Sequence, residues 1–171
     1  MKIKAVILAM MTMLSLVNAS ESVNLLKNGD FSEGLKHWRF ENKAIAIDPS
    51  VKYQEKPAVV LPEKSEIRQS VTIKPNTSYV LTYMVKAEGI QAANPRKNGA
   101  RFMLNANKVW QRATPAAHGD CMTGSFDWVK GEHRFSSNDF KGGGRLNIKL
   151  VLDCPGKCYA ADIKLQEVPA Q

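Results

Sequence analysis

The stretch 100–110 carries the side chains best suited to bind a polar ligand. If it is one strand, alternate residues point to opposite faces of a sheet. The apolar set, which we expect to face the core, is Phe102, Leu104 and Ala106. Arg101, Asn105 and Asn107 then point outward. Asparagine is unfavourable in strands, but its amide both donates and accepts hydrogen bonds, which suits the hydroxyl groups of a sugar. A solvated outer face would explain the same row.

Trp110 ends this stretch and leads into a long segment, 111–125, rich in Gly, Ala, Thr and charged residues. An indole ring offers a flat apolar surface on which the C–H face of a sugar can stack, and such segments often carry binding residues. Burial inside the fold is the alternative for this side chain. The candidate binding set is therefore Arg101, Asn105, Asn107 and Trp110.

Short apolar–polar alternation recurs along nearly all of the chain after residue 22, punctuated by turn residues such as Asn28-Gly29 and Pro75-Asn76. No window of a dozen residues has a convincing helical repeat. The pattern predicts an all-β fold of two packed antiparallel sheets. The expected strands are 22–26, 43–48, 57–61, 66–73, 78–87, 100–110, 126–136, 144–152 and 158–168.

Two of these strands have a clear apolar face. In 144–152 the residues expected in the core are Leu146, Ile148, Leu150 and Leu152. The opposite set is Arg145, Asn147, Lys149 and Val151. In 78–87 the residues expected in the core are Tyr79, Leu81, Tyr83 and Val85. Each strand thus predicts one buried and one outward face.

Several segments of the chain carry motifs that occur together in one kind of protein. The first runs from Asn24 to Trp38 and combines a short apolar stretch, an Asn-Gly turn and a Phe…Gly…Trp pattern. The others are 67–76, 78–87, Asp127-Trp128 ahead of Phe135, and 158–165. Together they resemble the carbohydrate-binding modules of the galactose-binding-like jelly-roll type that are appended to bacterial xylanases and glucanases. The resemblance implies a two-sheet jelly roll, core positions for Trp38 and Trp128, and a ligand held across one sheet face or in loops at the sandwich edge.

The resembling modules often hold a structural calcium ion between the first turn and the last strand. The resemblance implies Asp30, Glu33 and Asp162 as its ligands. Carboxylates from distant parts of the chain would then join the two ends of the domain through one ion. The family's acidic residue commonly follows the Phe directly, where this chain has Ser32. Surface carboxylates are the alternative.

Residues 1–19 have the order of a secretory signal: Lys2 and Lys4, an apolar run, and small residues up to Ala19. We expect cleavage after Ala19 and a secreted or periplasmic protein. Residues 20–171, roughly 150 in number, then form a single domain. No later segment is long and apolar enough to predict a membrane span.

The chain has 24 Lys and Arg residues against 16 Asp and Glu, a net charge of +8. The basic residues are scattered and form no compact run, which argues against a nucleic-acid partner. An acidic polysaccharide or an anionic cell surface fits the excess charge, as does simple solubility.

Three cysteines, Cys121, Cys154 and Cys158, would reach an oxidising compartment, where a disulfide is expected. Cys154 and Cys158 flank a tight turn, and Cys121 could pair with either. His118 and Cys121 lie in one segment, which raises the alternative of a small hydrolase or lyase. The usual catalytic motifs are absent from the sequence, so we expect no enzyme.

The sequence therefore predicts a secreted, non-catalytic module that recognises a glycan or polysaccharide. Modules of this type normally travel with a glycoside hydrolase, for which this chain has no room, so we expect it to bind on its own or in a larger assembly. The main alternative is a protein-interaction or cell-surface structural module on the same β-sandwich.

Overall fold

The computed structural model describes residues 23–168, which form an all-β sandwich. The strands of this part of the chain are β1 Arg39–Phe40, β2 Ala46–Tyr53, β3 Lys56–Pro62, β4 Ser65–Ile73, β5 Ser78–Ile90, β6 Ala100–Ala106, β7 Val109–Ala113, β8 Gly124–Ser136, β9 Gly144–Leu152 and β10 Lys157–Val168. Two short 3-10 helices are Ala116–His118 and Ser137–Phe140.

The strands form two five-stranded sheets in which every pair is antiparallel. Sheet I has the order β1-β4-β9-β6-β7, and sheet II has the order β2-β3-β10-β5-β8. Neighbours in space are mostly not neighbours in sequence, as expected of a jelly roll. The predicted all-β jelly-roll sandwich is confirmed.

The core lies between the sheets and is built from alternate residues of the central strands. The predicted core residues of β9, β5 and β6 are all buried: Leu146, Ile148, Leu150, Leu152, Tyr79, Leu81, Tyr83, Val85, Phe102, Leu104 and Ala106. The Tyr83 ring packs 4.0 Å from the Phe102 ring, centroid to centroid, and its hydroxyl donates to the Ala113 carbonyl at 2.8 Å. A buried hydroxyl with a partner avoids the cost of an unsatisfied polar group.

The first predicted strand, 22–26, is wrong for the residues that the structure describes. Residues 23–26 form bends and loop, because the Asn24 side chain takes part of the hydrogen bonding that a strand ladder would supply. Its Oδ1 accepts from the Leu26 N–H at 3.1 Å and from the Leu165 N–H at 2.9 Å. The segment is thereby tied to β10 without becoming a strand.

The predicted strand 100–110 is wrong in another way, because it is a hairpin of β6 and β7. Ala106 lies opposite Val109, so the turn contains two residues, Asn107 and Lys108. Their φ angles of 49° and 66° are both in the left-handed region, which a two-residue type I′ turn requires and asparagine tolerates. Trp110 therefore lies on β7, an edge strand of sheet I.

The two tryptophans expected in the core have different positions. Trp38 is buried and stacks on Phe31 with ring centroids 5.4 Å apart, as predicted. Trp128 is half-buried on the outer face of sheet II, so its core assignment is wrong. Its ring packs against Tyr53 at 5.5 Å, and its Nε1 donates to the Lys52 carbonyl at 3.1 Å.

Within residues 23–168 no helix has the length and apolar character needed to cross a membrane. The predicted signal segment, residues 1–19, lies outside the described residues.

Candidate functional site

The strand register places four side chains in a row on the outer face of sheet I. Ser70 on β4 lies opposite Asn147 on β9, Asn147 opposite Asn105 on β6, and Asn105 opposite Trp110 on β7. We call these four residues the polar row. Neighbouring strands are about 4.8 Å apart, so the row is about 14 Å long. All four side chains line one open depression with a volume of about 340 Å³.

One hydrogen bond fixes each of the two amides of the row. The Ser70 hydroxyl donates to Asn147 Oδ1 at 2.5 Å, and Asn105 Nδ2 donates to the Val109 carbonyl at 2.9 Å. Asn147 Nδ2 and Asn105 Oδ1 make no hydrogen bond to another residue of the described range. A free NH2 group on Asn147 and a free carbonyl oxygen on Asn105 therefore lie on neighbouring strands, a pairing that suits ligand hydroxyls.

Trp110 ends the row and is 55% exposed. Lys149 Nζ lies 5.3 Å from the centroid of its ring, a cation–π contact that restrains the indole. The exposed ring beside the two amides offers a ligand an apolar platform and hydrogen-bonding groups at the same site.

Four cationic side chains surround the polar row and line the same depression. Arg39 on β1 lies opposite Arg68 on β4, and Arg68 lies opposite Lys149 on β9, which makes a second row beside the first. Arg145 lies two residues from Asn147, on the other side of the polar row. Glu66 accepts from Arg68 Nη1 at 3.1 Å and from Lys149 Nζ at 2.9 Å, which fixes these two cations in place.

The structure brings together two of the four residues predicted to bind a ligand, Asn105 and Trp110. Arg101 lies elsewhere: it pairs with Asp153 at 2.8 Å, and its side chain is only 14% exposed. Asn107 is the left-handed turn residue, and its Nδ2 donates to the Phe140 carbonyl at 2.7 Å. Both side chains are thus engaged in holding loops, away from the depression.

Sequence reasoning did not assign the other residues of the depression as ligand-binding. Asn147, Arg145 and Lys149 were correctly placed on the outward face of β9 by alternation. What alternation does not supply is the partner strand: only the pairing of β9 with β4 and β6 brings Asn147 between Ser70 and Asn105.

The predicted calcium ligands are paired with lysines. Lys56 Nζ lies 3.4 Å from Asp162 Oδ1 and 4.0 Å from Asp30 Oδ2, and Lys164 Nζ lies 2.9 Å from Asp162 Oδ2. Burial acts to raise the pKa of Asp30, but hydrogen bonds from Ser32 and the charge of Lys56 lower it overall, so the carboxylate is ionised at neutral pH.

This arrangement does not match the donor set that calcium requires. Glu33 is paired with Lys36 rather than with the other two acids. Among residues 23–168 no group of three or more His, Cys, Asp or Glu side chains is close enough to hold a metal ion. Calcium takes six to eight oxygen ligands, and here an ammonium group lies between the two carboxylates. Calcium binding is thus predicted by the resemblance alone, whereas the lysine pairing predicts no calcium in the wild-type protein, and a melting experiment decides between the two.

We expect calcium to leave the melting temperature of the wild-type protein unchanged relative to a chelator, because Lys56 already supplies the positive charge. The Lys56→Met variant removes that charge and should melt about 2–4 °C lower, the effect of losing a half-exposed ion pair. Calcium should then raise the Tm of the variant more than that of the wild type. A wild-type Tm that rises with calcium would contradict this view of the lysine.

The three cysteines are free thiols in the structure, and all are buried. Burial raises the pKa of Cys121 and Cys154, and it raises the pKa of Cys158 to about 12. A protonated, buried thiol is a weak nucleophile. The His118 ring packs against the Phe126 ring, with centroids 4.2 Å apart. Cys121 thus lacks the lowered pKa that is expected of a nucleophilic cysteine.

The disulfide predicted from the sequence stays a prediction.

No protein-family model matches the sequence, and a search of the curated proteins likewise finds no match. Solved structures do match. Family 16 carbohydrate-binding module-2 is similar to this chain. The TM-score is 0.59 and the identity is 19%, and the match covers 83% of this chain and 99% of the module. TmCBM61, solved in complex with β-1,4-galactotriose, has a TM-score of 0.55 and 19% identity over 86% of this chain and 100% of its own.

A third similar structure is the CBM22-1 xylan-binding domain of Xyn10C from Paenibacillus barcinonensis. Its TM-score is 0.54, with 17% identity over 88% of this chain and 97% of its own. Each module is covered almost completely, so the likeness extends over a whole domain rather than a shared substructure. At these identities the likeness establishes the fold, and the chain has the jelly-roll fold of carbohydrate-binding modules.

Proposed function

We propose that this chain is a secreted, non-catalytic carbohydrate-binding module that holds a glycan across the outer face of sheet I. The observation that carries the proposal is the polar row Ser70, Asn147, Asn105 and Trp110, which lines one depression. Sugar recognition needs a flat apolar surface for the C–H face of the ring and hydrogen-bonding groups for its hydroxyls. The exposed indole supplies the first, and the unpaired amide groups supply the second.

The similar structures support a sugar ligand, because one of them is a complex with β-1,4-galactotriose and another is a xylan-binding domain. Folds of this kind host many functions, so the argument for this chain depends on its own residues. The signal-like order of residues 1–19 supports secretion. Burial of the Cys121 thiol, with its raised pKa, supports a role without nucleophilic catalysis.

The alternative of a protein-interaction module would favour the outer face of sheet II, where a small apolar cluster includes Tyr53 and Trp128. These rings pack on each other, and the Trp128 N–H is already bonded to the backbone. Neither side chain is among the large hydrophobic residues that are exposed within residues 23–168, whereas Trp110 is. The more available aromatic surface is therefore on sheet I.

A glycan array with the processed chain, residues 20–171, tests the proposal. We expect binding to a restricted set of glycans. An Asn147→Ala variant should lower the affinity roughly tenfold, because the protein loses the amide that donates a hydrogen bond to the ligand. Circular dichroism should show that the variant is folded, since Asn147 lies on an outward face. A folded wild-type protein that binds no glycan would contradict the proposal and favour a protein partner.

A further inference from the structure

A second depression adjoins the first on sheet I and extends the candidate binding surface. Its volume is about 360 Å³, and it shares Arg39, Ser70 and Arg145 with the depression that contains the polar row. Its other lining residues include Lys27 and Thr72. We call the two depressions together the groove. It runs from Trp110 at one edge of the sheet past β9 and β4 to β1 at the other edge.

The groove is lined by cations and by no carboxylate. Its Lys and Arg residues are Lys27, Arg39, Arg68, Arg145 and Lys149, while no Asp or Glu is among its lining residues. Glu66 and Glu41 neutralise part of this charge from outside, through ion pairs to Arg68 and Lys149.

Arg68 and Lys149 are paired with carboxylates. Arg39 and Arg145 differ from them, because neither makes an ion pair with a carboxylate of residues 23–168. Both line both depressions, and the register places them on opposite sides of Ser70: Arg39 on β1 lies opposite Arg68, and Arg145 on β9 lies opposite Thr72. A ligand that is hydrogen-bonded to Asn147 would therefore have an unpaired guanidinium within reach in each direction.

We propose that the glycan is an anionic polysaccharide, whose sugar rings carry carboxylate or sulfate groups, and that Arg39 and Arg145 bind those groups. The inference rests on the proposed function and names the ligand class of the same face. A guanidinium offers a planar fork of N–H donors that matches the oxygens of a carboxylate or a sulfate, and such charge-assisted bonds are roughly twice as strong as neutral ones.

A neutral glycan should bind in the groove more weakly than an anionic one. Its hydroxyl oxygens can accept hydrogen bonds from the guanidinium groups, but they bring no negative charge, so the Coulomb attraction of an ion pair is missing. An anionic chain supplies that attraction through charge-assisted hydrogen bonds, while its ring faces remain available to stack on Trp110.

Calorimetry with two matched pairs of ligands tests the inference. One pair is oligogalacturonate and its methyl ester, which differ in carboxylate charge, and the other is dextran sulfate and dextran, which differ in sulfation. We expect the charged member of at least one pair to bind about tenfold more tightly or better, and its affinity to fall as salt is added. The pair that shows the difference tells whether the acid group is a carboxylate or a sulfate.

Three arginine variants locate the effect. Arg39→Gln and Arg145→Gln should each weaken binding of the charged ligand roughly tenfold, with little change for its neutral partner. Arg134→Gln is the matched control: it removes the same charge from β8 in sheet II, where the side chain is 65% exposed, and should leave binding unchanged.

The outcomes separate the inference from the proposed function. Equal affinity for charged and neutral members would overturn the inference and leave a glycan-binding module. Failure of the folded protein to bind any glycan would overturn the proposed function itself. Equal losses in all three arginine variants would indicate a diffuse charge effect and overturn the assignment of Arg39 and Arg145. Tighter binding of a single-stranded oligonucleotide than of any polysaccharide would overturn the glycan class.

Discussion

Replacing Gly29 with alanine is expected to lower the free energy of unfolding by about 3 kcal/mol or more. A Cβ atom there would lie 1.9 Å from the Ile163 carbonyl oxygen, a distance that requires the backbone to move. The movement would break two hydrogen bonds to β10: from the Ile163 N–H to the Gly29 carbonyl, 2.8 Å, and from Asn24 Nδ2 to the Ile163 carbonyl, 3.1 Å. Urea denaturation, followed by circular dichroism, measures the loss.

Gly34→Ala is the control for this prediction. Gly34 has a φ of +65°, but an added Cβ would meet nothing within 4 Å. Its replacement should cost only the left-handed backbone strain, about 1 kcal/mol. Similar losses in the two variants would show that the effect at Gly29 is general glycine strain and not the contact with Ile163.

The Gly29 contact shows how far the sequence could predict the fold. The Asn28-Gly29 pair was correctly predicted to be a turn, but the left-handed residue is Asn28, with a φ of 51°. Gly29 is required by the close approach of β10, which lies more than a hundred residues away in the chain. A local sequence pattern can predict a turn from its residue types. It cannot predict a close approach of distant segments, which depends on how the strands pair.

The same limit explains the two strand errors. Alternation correctly assigned the buried faces of β5, β6 and β9, because burial of one face follows a two-residue period. It could not distinguish one strand over 100–110 from a hairpin, since Asn107 and Lys108 interrupt the pattern for only two residues. At residues 23–26, the Asn24 side chain accepts hydrogen bonds that strand backbone would otherwise make. An apolar run in the sequence does not show that a side chain will take this role.

The candidate site was only partly predictable for a related reason. Asn105 and Trp110 were predicted from residue type, and Asn147 was placed on an outward face, but the polar row exists only through the order β4-β9-β6-β7. Arg101 was predicted to bind the ligand from its residue type and its outward position on the strand. Its pairing with Asp153 comes from a loop between β9 and β10, which strand alternation does not describe.

The Trp110→Ala variant should lose about 2 kcal/mol of binding free energy for the glycan, roughly 30-fold in affinity. The ring is the exposed aromatic surface of the polar row, and its removal also frees Lys149 from its cation–π contact. The variant should keep the wild-type Tm, because Trp110 lies outside the core on the edge strand β7. Calorimetry with the best ligand of the glycan array measures the affinity.

Trp128→Ala is the matched control, because it removes a tryptophan from the outer face of the other sheet. We expect it to bind the glycan as the wild type does, with some loss of Tm because its ring packs on Tyr53. If Trp128→Ala loses affinity while Trp110→Ala keeps it, the glycan lies on sheet II. Equal retention in both variants would mean that neither indole stacks on the sugar, and recognition would then depend on the amides and arginines of the groove alone.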